Sequence, residues 1–192
     1  MTDERIEDPR ARVYHDIGRN IVNYQKVERL MKAFLKASGH EGYLSDIYAR
    51  QQKKNESIDR NSMGQLVKEM RESVFTTVEP NDGPAEVEEP WFRFVSTFEM
   101  NDATAKTWAE QLAELVRQRN DLVHHVLADK DFESVEVCER FLLELDRQND
   151  HTKLVWSQLM KYFKHTADAR KELGKFLQSE EGRAWFAGLI SN

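Results

Sequence analysis

Residues Leu115 to His125 read LVRQRNDLVHH, and the fold turns on whether this stretch closes a long amphipathic helix. Leu112, Leu115, Val116, Leu122, Val123 and Val126 recur at spacings of three and four, the stripe by which a helix buries one face. Asn101 or Asp102 supplies the helix cap upstream, and Ala128-Asp129-Lys130-Asp131 ends the pattern downstream. Such a helix spans on the order of 40 Å at 1.5 Å per residue.

A second helix of matching length lies near the N-terminus. Val13, Ile17, Ile21, Tyr24, Val27, Met31, Phe34 and Leu35 form its stripe. Pro9 suits its first turn, where no amide proton is needed, and Ser38-Gly39 ends it with Gly39 as a left-handed cap. Residues 42–74 then read as two shorter helices with a polar break near Asn55–Asn61. Ser134 caps a third long helix whose seam is Cys138, Phe141, Leu145, Val155, Leu159 and Tyr162, with Gln148 and Thr152 as polar interruptions and a bend at Asn149-Asp150-His151. A terminal helix over about 180–190 carries Trp185, Phe186, Leu189 and Ile190. Matched lengths suit an up-and-down bundle.

Residues 74–100 differ in character. Val74–Val78 is rich in β-branched residues, and Phe92, Phe94, Phe98 and Met100 alternate with other residues at the period of a strand. Asp82, Gly83 and three of the four prolines lie between them. This segment reads as a two-stranded ribbon with a long acidic tip (Glu79, Asp82, Glu86, Glu88, Glu89), or as an irregular loop packing three phenylalanines on the bundle. The expectation is therefore one mainly α-helical domain over 1–192, with frayed residues 1–8, a β-ribbon insertion at 74–100 and a C-terminal extension at 166–192.

Composition narrows the function classes. Of 192 residues, 40% are hydrophobic and 32% charged, enough for a core under a helix-rich surface. A net charge of -6 argues against coating nucleic acid by charge alone. The single cysteine, Cys138, excludes an intramolecular disulfide and suits a reducing compartment. No apolar run reaches the roughly 18 residues of a membrane span, and the charged start MTDERIEDPR has no secretory apolar core. A cytoplasmic protein is expected. No ligand pair has zinc spacing around His124-His125, so neither metal nor cofactor is expected.

Arg119 is the residue that demands an explanation. On a projection of about 100° per residue it falls in the middle of Leu112, Val116, Val123 and Val126. A guanidinium in an apolar stripe is costly unless paired, because it does not deprotonate. Glu28 is its counterpart on the first helix, among Ile17, Ile21, Tyr24, Met31 and Leu35, so the two are expected to approach across the bundle. His124 stands five residues after Arg119, about 140° away on a straight helix. Asn120 and His124 are four apart and share a face, so Asn120 is placed to orient the imidazole. Histidine is suited to proton transfer near neutral pH.

The spacing Arg119-x-x-x-x-His124, with polar Asn120 directly after the arginine, resembles the signature of HEPN domains. Asn20 to Lys32 (NIVNYQKVERLMK) and Met63 to Val67 (MGQLV) are similar to the same family. The resemblance covers roughly 10–75 and 101–165, and departs from it in the ribbon and the tail. It implies a metal-independent endoribonuclease acting on RNA as a homodimer, in which the motif helices of two copies form one cleft. It implies that His124 acts as acid or base, that Arg119 holds the scissile phosphate, and that Asn120 sets the imidazole, with Glu28 and Asp121 supporting. The product is then a 2′,3′-cyclic phosphate, and a toxin or defence role with an antitoxin or other protein partner fits such relatives. The alternatives are a non-catalytic module for dimerisation or protein interaction, in which Arg119 and His124 are structural, and nucleotide binding with Arg119 on a phosphate.

Overall fold

The computed structural model describes residues 8–75, 91–126, 132 and 134–190. In chain order the elements are α1 (Pro9–Ser38), β1 (Gly39–Tyr43), α2 (Ile47–Arg60), α3 (Met63–Ser73), β2 (Trp91–Val95), α4 (Asp102–Asp121), a π-helical turn (Leu122–Val126), α5 (Val135–Gln178) and α6 (Glu180–Ile190). The protein is thus mainly helical with a small two-stranded sheet. No helix among the described residues is long and apolar enough to cross a membrane.

The chain divides into two compact units, Met1–Arg29 with Lys106–Gln158, and Leu30–Ala105 with Leu159–Asn192. In the first unit, three helical segments pack together. Asn20 Nδ2 donates to the Leu145 carbonyl at 2.8 Å, and Asn23 Nδ2 to Asn149 Oδ1 at 2.9 Å. These contacts ascend together along α1 and α5, so the two run parallel. Gln118 of α4 meets His151 of α5 at 3.1 Å and joins these two helices. Val13, Val27, Leu112, Leu115, Leu122, Leu145 and Val155 fill the interior. Ser134 Oγ accepts from Val137 N at 3.2 Å and caps α5.

The second unit centres on Phe34, which is 0% exposed. The rings of Phe75, Phe98 and Phe163 meet it edge-on at 6.0–6.2 Å. Tyr162 packs on Phe98 at 4.9 Å and on Phe75 at 5.2 Å. Each such pair adds about 0.5–1.5 kcal/mol beyond area burial. Ser62 opens α3 with a reciprocal capping box. Its hydroxyl accepts from Gln65 N, and Gln65 Oε1 accepts from Ser62 N at 2.8 Å.

The partner of β2 among the described residues is β1, paired antiparallel from Gly39↔Val95 to Tyr43↔Trp91, while residues 76–78 of the strand expected at 74–78 lie outside the described residues. Val74 is fully buried as the cap of α3, so its β-branched character serves the core. Gly39 is not a left-handed cap. It enters β1 directly, and among the described residues the one glycine with positive φ is Gly42, at 152°. A Cβ there would stand 2.8 Å from Arg50 Cδ and 3.2 Å from Ile47 Cα, where α2 turns back over the strand. α5 is one continuous helix across Asn149-Asp150-His151, where a bend was expected, and through residue 166, the expected start of an extension, to Gln178. The frayed N-terminus, the acidic tip at 79–90 and the helix end at Ala128–Asp131 lie outside the described residues.

Candidate functional site

Asn101 Oδ1 accepts from Thr104 N at 2.9 Å and starts α4. The helix then buries Trp108, Leu112 and Leu115, and the π turn buries Leu122 and Val126. Arg119 stands between these two groups and is half-buried. Its Nη1 donates to Asn120 Oδ1 at 3.0 Å in an exposed bond. The aliphatic stem therefore covers the seam while the charged head reaches water, the usual resolution for a long cation on an apolar stripe. Among the described residues, Asn120 is the hydrogen-bond partner of Arg119, and Glu28 is half-buried on α1.

The π turn changes the geometry of the motif. A π turn closes over five residues rather than four. It therefore lessens the divergence of Arg119 and His124 expected of a straight helix. His124 and His125 are both exposed, with ring centroids 6.5 Å apart at 70°. Asn120 holds Arg119 rather than the imidazole of His124. Asp121 accepts from Arg117 Nη1 at 2.7 Å. The structure thus brings Arg119 and Asn120 together and presents His124 from the following turn.

A polar chain beside the motif escaped the sequence reading. Arg117 donates to Glu114 through Nε at 2.8 Å and Nη2 at 2.6 Å. Gln118 Nε2 donates to Glu114 Oε1 at 2.8 Å, and Gln118 Oε1 meets His151 Nδ1 at 3.1 Å. These bonds with Arg117 hold the Glu114 carboxyl below its usual range. Burial lowers the pKa of His151, opposed by the charge of Glu114. Tyr24 lies on the α1 side with its hydroxyl 3.4 Å from Gln148 Oε1, and burial pushes its pKa up to about 12. Glu114 and Gln118 stand four apart on one helix face, and Gln148, His151 and Thr152 cluster on another. That pairing of polar stripes is the signal that would have located the chain.

No family model, curated protein or solved structure matches this chain.

Proposed function

We propose that the protein is a metal-independent endoribonuclease of the HEPN kind, acting as a homodimer. The observation that carries this reading is the end of α4. Arg119 has no carboxylate partner among the described residues, and its exposed head is steadied by Asn120, one turn before an exposed His124. A planar guanidinium left without an internal anion suits a phosphate, whose oxygens accept its parallel N–H groups. In the reaction, the ribose 2′-oxygen attacks the adjacent phosphorus and the 5′-oxygen leaves. One His124 takes the 2′-hydroxyl proton, and the twin copy's His124 gives a proton to the leaving oxygen. Arg119 stabilises the extra negative charge on the phosphorus centre. A two-fold axis near the π turn supplies both imidazoles, because it applies the same surface twice. The products are a 2′,3′-cyclic phosphate and a 5′-hydroxyl. The test is incubation of wild type and His124→Ala with RNA in EDTA. Equal behaviour of the two proteins overturns the reading.

A second reading is a non-catalytic interaction module. It is favoured by Leu143 and Leu154, which are 60% and 45% exposed and stand eleven residues apart on α5. That spacing places them on one face of an α-helix. On this reading Leu143→Asp and Leu154→Asp abolish association while His124→Ala has no effect.

A further inference from the structure

The second unit contains a cavity of about 870 Å³ whose lining runs from the end of α1 through β1, α2 and β2 to the C-terminal half of α5. The size lies within the roughly 300–1,000 Å³ of small-molecule sites. Its walls divide by chemistry. Ile47, Phe94, Leu173 and Leu177 make an apolar side, while Arg93, Arg170 and His40 bring nitrogen donors. No acidic residue lines it among the described residues.

The state of those donors separates this cavity from an ordinary surface groove. Arg170 is exposed and carries no ion pair among the described residues; its Nη1 donates to the Ala37 carbonyl at 3.0 Å, which leaves the rest of the guanidinium fork uncommitted. Arg93 Nε and His40 Nε2 are buried and have no hydrogen-bond partner among the described residues. Glu41 lies 3.3 Å from Arg93 Nε as an ion pair, without the alignment of a hydrogen bond. A guanidinium whose fork is only partly used, as at Arg170, is the donor set that a carboxylate engages. A second cavity, of about 620 Å³, shares Ser38, His40, Gln51, Arg93 and Val95 with the first and adds Arg50, Lys53 and Lys54 together with Glu41 and Glu72. The first cavity itself sets Arg93 and Arg170 beside hydrocarbon from Phe94, Leu173 and Leu177.

We infer that this cavity binds a small amphipathic organic acid, with its carboxylate on Arg170 and Arg93 and its apolar body against Phe94, Leu173 and Leu177. A carboxylate matches the parallel N–H groups of a guanidinium, and an apolar chain matches the walls. This site is independent of the Arg119 motif and of the nuclease reading.

The test is calorimetric titration of the full-length protein with octanoate, octanol and inorganic phosphate. Octanoate is expected to bind with one site per chain, octanol at least about tenfold more weakly, as loss of a charged hydrogen-bond pair implies. Inorganic phosphate is expected not to displace octanoate. Arg170→Gln is expected to weaken octanoate at least about tenfold, and Leu173→Glu to abolish binding. Both residues are exposed enough to be changed without unfolding the unit, which circular dichroism checks. Should Arg170→Gln disturb the fold, Leu173→Glu decides alone. Octanol binding as tightly as octanoate, displacement by phosphate, or unchanged affinity in a folded variant overturns the inference.

Discussion

His151 Nδ1 lies 3.1 Å from the side-chain oxygen of Gln118, and this contact fixes the proton positions between α4 and α5. The Glu114 carboxylate accepts only, so the amide nitrogen of Gln118 must face it, at 2.8 Å. The amide oxygen then faces His151, so the neutral imidazole carries its proton on Nδ1. The expected ¹⁵N spectrum of His151 is that of the Nδ1–H tautomer. Gln118→Leu leaves His151 Nδ1 without its partner, and a loss of about 1–3 kcal/mol follows from leaving a half-buried polar group unmatched. Chemical denaturation checks this. An Nε2–H spectrum, or an unchanged midpoint in the variant, contradicts the chain of bonds.

The same histidine gives the stability a pH dependence. Burial is the main cause that lowers the pKa of His151 and of His40, and for His40 the charges of Arg170 and Lys54 add to it. In the unfolded chain both take up a proton near about 6.5. The folded chain resists until lower pH. Between those two points the unfolded state holds more protons, so stability rises with pH there. Both contributions are complete above about pH 6.5 and shrink as the pH falls below it. Thermal unfolding at pH 5 is expected at lower temperature than at pH 7, and His151→Gln is expected to flatten that slope.

Long periodic helices were legible in the sequence because their apolar stripes repeat over many turns. The caps at Asn101 and Ser134 use local chemistry and were equally readable, because each polar residue sits just outside a stripe. The pairing of Gly39–Tyr43 with Trp91–Val95 was not readable, because a register across some fifty residues leaves no mark on either strand alone. GHEGY also lacks the β-branched residues that flag a strand. At the candidate site the sequence located Arg119 on the seam but not where its head would go. A flexible arginine can reach a carboxylate on a neighbouring helix or fold back to its own neighbour, and only packing decides between them. The π turn was hidden too, since its residues fit an α-helical stripe equally well.

Gly42 holds the turn between β1 and α2 at φ 152°, where residues with a Cβ are strained. A new methyl group would meet Arg50 Cδ at 2.8 Å, Asp46 Oδ1 at 3.1 Å and Ile47 Cα at 3.2 Å. The arginine can move, but the backbone of Ile47 cannot. Moving Arg50 also strains its 2.6 Å bond to Asp46 Oδ2, although that bond is too exposed to matter much. Gly42→Ala is expected to destabilise by about 1–3 kcal/mol, the usual cost of a residue held in a sparsely populated backbone region. Urea unfolding measures it, and a neutral result would mean that the strand end relaxes freely.

Catalysis and structure separate at His124 and Arg119 because the two differ in burial. His124 is exposed and has no hydrogen bond among the described residues, so His124→Ala is expected to leave stability within about 0.5 kcal/mol. Loss of a positioned acid or base should nevertheless cut RNA cleavage by about 10²–10⁴-fold. Arg119 covers part of the seam with its stem, so Arg119→Ala is expected to lower both stability and cleavage. Arg119→Lys retains much of the stem and the charge but loses the planar fork that a phosphate would engage. Its stability should therefore approach wild type while its cleavage stays low. Paired melting curves and cleavage assays on the three variants resolve this. Full cleavage by Arg119→Lys would remove bidentate phosphate recognition from the mechanism, and full cleavage by His124→Ala would remove the mechanism itself.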